Sequence, residues 1–266
     1  GYNAYSFLQT GFKDEYGKLL PVFLRSFSVY SPPLYSYVTV LFVKLFGLNI
    51  FSVRFLSALS GSLSIIAIYY LTNFLYKKRF ISLVSSLVFA ISPWSIFFSR
   101  GAFEVNLSIF ILLLSLIFLL KNKLYLGFAL LAINTYAYHS QRLISIFIII
   151  LFLVLNIKNY KKIFKASVLF LIILIPQILL INTPAFGARA GGLFYFDIAT
   201  TPLKFLREFL AQYFNYFSAN NLFIVGDKDL QRSIPELAPF YSWLVIPYLL
   251  GIYILFKNLK HRQYLI

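Results

Sequence analysis

Long apolar runs separated by short polar turns dominate the chain. Each run reaches or approaches the roughly 20 residues that a helix needs to cross a bilayer. The runs cover 52–75, 80–98, 105–120, 124–140, 143–157, 165–182 and 239–256. Their apolar positions are continuous rather than alternating, and most runs are too long for strands. The pattern therefore predicts an all-α, polytopic transmembrane helix bundle with about seven spans.

Two longer segments interrupt this pattern, and each contains an apolar stretch with polar groups spaced through it. Such stretches are typical of helices that lie along the membrane interface. They occur at 34–46 and 203–217. The predicted organisation is a first extracytoplasmic loop with a juxtamembrane helix (1–51), a six-helix transmembrane region (52–182), a second extracytoplasmic loop (183–238), one more transmembrane helix (239–256) and a cytoplasmic tail (257–266).

Basic clusters set the predicted orientation. They follow every second span, at 77–79, 121–123, 158–165 and 257–262. Each pair of clusters encloses two crossings, so all four lie on one face, which the positive-inside rule makes cytoplasmic. All eight acids then fall on the opposite face. Carboxylate chemistry is therefore expected outside the cytoplasm.

Composition excludes a soluble globular protein. Hydrophobic residues make up 60% of the chain and charged residues 12%, against about 25% in soluble domains. The net charge of +16 is explained by the topology signals, so nucleic acid is not an expected partner. The absence of cysteine excludes disulfides and thiolate chemistry. The chain begins with Gly1 and no signal peptide is visible, so we expect a fragment that lacks a preceding first helix.

One candidate site lies at the outer end between the second and third spans. Arg100, Glu104 and Asn106 fall within seven residues there. Arginine presents a planar fork of donors that suits phosphate, and a carboxylate at a helix start is favoured in its ionised form. The alternative is an ordinary surface pair of Arg100 and Glu104, which would contribute little.

A second candidate site lies at the next outer turn, where Tyr138, His139 and Arg142 could hold a phosphate head group or a sugar. The alternative there is an aromatic belt with an arginine that reaches the interface. Two further groups of charged residues are interpreted as solvated loop charges: Asp14 with Glu15 in the first loop, and Arg232 in the second loop. Two histidines on opposite faces do not support a metal site.

The ordered motifs resemble a known family. They are Gly1–Gly17, the Tyr-Ser-Pro-Pro-Leu-Tyr element at 30–35, Phe51–Gly61, Ser92–Asn106, Tyr138–Arg142 and the Asn-Tyr-Phe-Ser element at 215–218. This set is similar to GT-C-type, polyprenyl-phosphate-sugar-dependent membrane glycosyltransferases of the bacterial protein O-mannosyltransferase group, family 39. The resemblance implies a hexosyltransferase, mannosyltransferase-like, that takes its sugar from a polyprenyl-phosphate carrier.

The resemblance also implies residue roles. Glu104 matches the second outer acid of the family, Arg100 the arginine before it, and Arg142 a position in the lipid-phosphate region. Asp14 and Glu15 match a later element, so the family's base role does not transfer to them. Two positions depart from the pattern: Ser31 stands where many relatives have lysine, and Arg232 lies where relatives often read Arg-His-Ser.

The predicted function is sugar transfer on the extracytoplasmic face of a bacterial plasma membrane, with inversion. The expected partners are the bilayer, the polyprenyl-phosphate sugar and an acceptor protein, lipid or glycan. No cofactor is predicted. The alternatives are a transporter or lipid flippase, and a non-catalytic membrane assembly subunit. Because the family's catalytic acid precedes the chain, these 266 residues alone are expected to be inactive.

Overall fold

The fold is a bundle of α-helices with one small β-hairpin, as seen in a computed structural model. The structure describes residues 1–26, 29–156, 159–187, 201–226 and 237–257. The helices are α1 Tyr2–Thr10, α2 Leu34–Phe46, α3 Ile50–Tyr76, α4 Arg79–Ile91, α5 Pro93–Arg100, α6 Glu104–Leu120, α7 Leu124–Asn134, α8 Gln141–Leu155, α9 Tyr160–Ile178, α10 Pro184–Gly187, α11 Pro202–Tyr216, α12 Ala219–Phe223 and α13 Val245–Lys257. The hairpin pairs β1 Leu24–Ser26 with β2 Val29–Ser31, antiparallel. The all-α prediction is confirmed.

Helix α3 is the central element of the first half of the bundle. Its N-terminus is fixed by a reciprocal capping box, in which Asn49 accepts from the Ser52 amide and Ser52 accepts from the Asn49 amide. It packs against α2, α4, α5 and α6. Helix α7 joins the two halves, because it packs against α6, α8 and α9.

The packing follows the rule for helices in lipid rather than for a soluble core. The side of α3 that faces its neighbours is lined by small residues, Ser57, Ser60, Gly61, Ser64 and Ala67, all buried. Small residues let helix backbones approach closely where lipid, not water, surrounds the bundle. Large apolar side chains such as Phe80, Leu143 and Phe164 are instead more than half exposed. This arrangement leaves a broad apolar surface that suits acyl chains.

Helix lengths bear on the predicted spans. Within the described ranges, α3 alone is long and apolar enough to cross a membrane, and α4 with α5 forms a second such unit with a 55° bend. The bend corrects the expectation of one continuous span over 80–98. It falls at Ser92, whose hydroxyl caps α5, and at Pro93, which lacks the amide needed to continue α4. Among the other predicted spans, α6, α7, α8 and the apolar segment Ser242–Ile254 have only 10–17 residues, so seven crossings stay a prediction.

Other boundaries also shift. The run 124–140 is helical only to Asn134, and tight turns follow it. The helix expected over 165–182 begins earlier, at Tyr160, and the helix expected over 239–256 begins later, at Val245. Helices are present at both segments that were predicted to lie along the interface, as α2 and α11, and their interfacial placement stays a prediction. The sequence did not predict α1 or the hairpin, which pack with α2 over the start of α3.

Candidate functional site

The first candidate cluster lies on a rigid turn between α5 and α6. Ser57 of α3 donates its hydroxyl to the Phe98 carbonyl oxygen at 2.9 Å and, at 3.4 Å, to that of Phe103. The rings of Phe98 and Phe103 pack edge to face with their centroids 4.9 Å apart. These contacts hold the turn from both sides. Arg100 is exposed at the end of α5, and Glu104 begins α6, as the sequence predicted.

Asn106 is engaged in holding helices together. Its side chain is buried, and its Nδ2 donates to Ser57 Oγ at 3.2 Å and to Ser99 Oγ at 3.0 Å. Gly61 allows this contact, because a Cβ there would clash with Ser99 Oγ. The amide therefore joins α3, α5 and α6 beneath the Arg100 turn. These hydrogen bonds account for the burial of Asn106, and its predicted contact with substrate stays a prediction.

Glu104 is half-buried and acts electrostatically on Tyr35 at the start of α2. Burial raises the pKa of the Tyr35 hydroxyl above its ordinary value, and the negative charge of Glu104 adds to this rise. The Tyr35 hydroxyl donates to the Val53 carbonyl oxygen at 3.0 Å. The carboxylate is thus close enough to the Pro-Pro-Leu-Tyr element for its charge to act on Tyr35, which the sequence could not show.

The second candidate cluster lies on the other side of the same element. The amide of Leu34 donates to the Tyr136 carbonyl oxygen at 3.0 Å. Ala137 packs in one apolar cluster with Tyr35. His139 Nε2 donates to the Tyr30 carbonyl oxygen at 3.0 Å, since a carbonyl can only accept. Tyr138 is half-buried in this turn. The two predicted clusters therefore meet at the N-terminus of α2.

Arg142 packs against two aromatic rings, which meet edge to face with their centroids 6.2 Å apart. Its Cζ is 4.3 Å from the ring centroid of Phe186 and 5.0 Å from that of Phe23. Its Nη1 donates to the Phe186 carbonyl oxygen at 3.0 Å. Nε and Nη2 are buried and have no hydrogen-bond partner among the described residues. These two nitrogens form the side edge of the guanidinium, which is the edge that can bind two oxygens of one phosphate or carboxylate.

Further unpaired polar atoms are concentrated around this turn. Among the described residues, buried side-chain atoms without partners occur on Asn134, Gln141, Gln177 and Arg142, and outside this region only on Ser108 of α6. Gln177 reaches the turn by donating to Thr135 Oγ1 at 3.0 Å. Buried polar groups are nearly always satisfied, so this concentration indicates a polar site for water or ligand. The sequence analysis missed these three amides, although polar residues inside apolar runs were the available signal.

The remaining predicted residues lie elsewhere. Glu15 is exposed and forms an ion pair with Arg25 at 3.9 Å. Asp14 accepts from the amides of Tyr16 and Lys18, which closes a loop turn. Among the described residues, the contacts of these two carboxylates are thus with the first loop and the hairpin, not with Arg142 or Glu104. Arg232 lies outside the described residues. Within the described part of the chain, no three His, Asp or Glu side chains are placed to hold a metal.

A family model described as dolichyl-phosphate-mannose-protein mannosyltransferase matches residues 30–181. The chain belongs to this family. The matched region covers more than half of the chain and includes the Pro-Pro-Leu element, the Arg100 turn and the Arg142 turn. No curated protein and no solved structure matches the chain.

Membership of the mannosyltransferase family explains the lipid-facing packing and gives the site its chemistry. Members are GT-C-type integral membrane proteins that use a polyprenyl-phosphate-linked sugar donor. The chain is therefore a membrane glycosyltransferase by family. Such an enzyme has to hold a lipid-linked phosphate, which is an anion at a membrane surface. Arg142 and Arg100 are cations at the two turns that meet at α2.

Proposed function

We propose that the protein transfers mannose or a similar hexose from a polyprenyl-phosphate carrier to an acceptor hydroxyl on the extracytoplasmic face, with inversion. The acceptor hydroxyl attacks the anomeric carbon of the sugar while the bond from that carbon to the phosphate oxygen breaks. The bonding electrons leave with the phosphate, and the hydroxyl proton passes to a carboxylate. In-line attack of this kind inverts the anomeric centre.

The observation that carries the proposal is the unpaired side edge of Arg142. An unpaired cation in a half-buried place is costly, and a phosphate that accepts two hydrogen bonds offsets that cost. We assign the carrier phosphate to Nε and Nη2, with Nη1 held by the Phe186 carbonyl. Charge on the leaving phosphate grows as the bond breaks, so this contact strengthens in the transition state.

We assign supporting roles to the neighbouring residues. Glu104 is the half-buried carboxylate beside Tyr35 and is our candidate for proton transfer or for orienting the acceptor. Arg100 is exposed one turn away and offers a second cation to the donor. Tyr138 and His139 shape the wall of the site next to Arg142, and Arg232 contributes from the second loop.

The proposal is tested with the full-length protein in proteoliposomes supplied with polyprenyl-phosphate mannose. Glu104→Gln keeps the side-chain size and removes the charge, so transfer should fall by roughly 10²-fold or more, as for loss of a general base. Glu208→Gln on α11, where the glutamate is half-buried as Glu104 is, is the matched control and should retain activity. Normal turnover by Glu104→Gln would remove Glu104 from the mechanism.

Sidedness has its own test. The chain has no cysteine, so single substitutions at exposed positions report topology cleanly. Ala102→Cys in the Arg100 turn should react with an impermeant maleimide from outside, and Asn122→Cys only after permeabilisation. Labelling of both from the same face would contradict extracytoplasmic transfer.

The transporter alternative has one feature in its favour, the bend between α4 and α5, because broken helices form binding sites in transporters. The bend is explained locally by the Ser92 cap and Pro93. Family membership supports transfer chemistry instead. Sugar flux across vesicles without formation of a glycosylated acceptor would favour the alternative.

A further inference from the structure

A groove on the face predicted to be cytoplasmic is separate from the site described above. It has a volume of about 430 Å³ and is lined by Asn122, Lys123, Leu124, Tyr125, Leu126 and Lys162. The lining comes from two places in the chain: the turn that leads into α7 and the first turn of α9. Sugar-transfer chemistry at the α2 end of the bundle makes no use of this groove.

The backbone at the two lysines is anchored by the buried residues that follow them. Lys123 directly precedes Leu124, and Lys162 directly precedes Ile163. Leu124 and Ile163 are both buried in one apolar cluster with Phe128 and Ala166, which joins α7 to α9. The backbone on each side of the groove is thus anchored, while both lysine side chains are exposed. Lys123 and Lys162 therefore line one opening from its two sides, and the Lys123 ammonium lies 5.9 Å from the ring centroid of Phe118.

The surroundings of the groove are basic. Lys121, Lys161 and Lys165 are close to it in sequence and are exposed. The nearest acids in the sequence are Glu104, one helix length away at the other end of α6, and Asp197, beyond α9. No carboxylate of the segment 105–196 is present to neutralise the lysines. Tyr125 and Tyr160 are exposed beside them, as aromatic residues at a headgroup level are.

We propose that this groove binds the phosphate headgroup of an anionic phospholipid from the cytoplasmic leaflet. Basic openings between membrane helices on that side are suited to such headgroups, and each lysine near the surface adds to the attraction. Lys123 and Lys162 pair with the phosphate, and the apolar surface of Leu126 lies against the start of an acyl chain. Tyr125 marks the boundary between headgroup and acyl chain.

The test uses the full-length protein in mild detergent, titrated with short-chain phosphatidylglycerol or phosphatidylcholine and read by native mass spectrometry. The unsubstituted protein should retain phosphatidylglycerol in preference to phosphatidylcholine. The double variant with Lys123→Gln and Lys162→Gln should bind phosphatidylglycerol at least about tenfold more weakly, because it loses two lysine contacts. Both positions are exposed, so folding is unaffected and unfolding temperature serves as a check.

The matched control removes the same charge from the same face. Lys77→Gln with Lys78→Gln, in the turn between α3 and α4, should change phosphatidylglycerol binding by less than about twofold. Equal loss in the two double variants would show a diffuse charge effect and overturn the site, as would no loss in either. If inorganic phosphate at equal concentration displaces the lipid, the groove binds free phosphate and the lipid assignment is wrong.

Discussion

Arg142 donates one hydrogen bond to the backbone carbonyl of Phe186 at 3.0 Å while the Phe186 ring lies over its guanidinium. Arg142 lies in the first turn of α8, and the rest of α8 and all of α9 separate it from Phe186. Phe186 lies near the start of the predicted second outer loop (183–238), so this contact connects that segment to the turn that holds the proposed phosphate contact. It leaves the Nε and Nη2 edge of Arg142 free of protein partners among the described residues.

The geometry of Arg142 predicts that a positive charge without the planar guanidinium does not support full binding of the donor phosphate. Arg142→Lys keeps the positive charge but loses the planar fork that binds two oxygens. Loss of a hydrogen bond to a charged group costs about 1.5–3 kcal/mol, so kcat/KM for the polyprenyl-phosphate donor should fall roughly 10- to 100-fold. Steady-state kinetics measure this. The same change at exposed Arg79, on the predicted cytoplasmic face, should leave kcat/KM unchanged.

Loss of the Phe186 ring should reduce donor binding less than loss of the Arg142 guanidinium does. Phe186→Ala keeps the backbone carbonyl but removes the ring, so Arg142 stays bonded and loses a stacking partner worth about 0.5–2 kcal/mol. We expect KM for the donor to rise by about 2- to 20-fold with a smaller change in kcat. Phe80→Ala on the exposed surface is the control. An unchanged donor KM in Phe186→Ala would show that the ring plays no part in orienting Arg142.

The contact between Gly61 and Ser99 predicts a rescue. Gly61→Ala places a methyl group against Ser99 Oγ, which should destabilise the protein by about 1–3 kcal/mol through overpacking. Ser99→Ala removes that oxygen. The double variant should therefore unfold at a higher temperature than Gly61→Ala alone, although Asn106 loses one acceptor. Thermal unfolding in detergent gives the comparison. A double variant less stable than both single variants would contradict the proposed clash.

Buried tyrosines predict a loss of stability at high pH. Burial raises the pKa of Tyr35 and of Tyr37 above the ordinary value of 10.0, so the folded state holds these protons after the unfolded state has released them. Their stabilising contribution is present below pH 10 and is lost as the pH rises above it. Tyr35→Phe should reduce the alkaline slope of stability and, at neutral pH, cost about 1 kcal/mol for the lost hydrogen bond to Val53. Denaturant unfolding between pH 8 and 11 measures both effects, with exposed Tyr70→Phe as the control.

The family and the candidate positions were readable from local patterns. Apolar runs separated by basic turns predicted a helical membrane protein. Because Glu104 directly precedes an apolar run, the sequence also predicted that a helix begins there. The ordered motifs gave the glycosyltransferase resemblance. The bend between α4 and α5 was not predicted, although Ser92 and Pro93 are both present in the sequence. The run 80–98 stays apolar across these two residues, so hydropathy alone does not show where the helix axis changes direction.

Sequence by itself therefore determined the helical class, the segregation of charge and the residues at each turn, since these depend on spacing along the chain. Only the tertiary structure decided that the Arg100 and Arg142 turns meet at α2, that Asn106 is engaged between helices, and that Arg142 packs against Phe23 and Phe186. These contacts join residues far apart in the chain, and their geometry is set by how small residues let the helices pack. No local pattern specifies that packing.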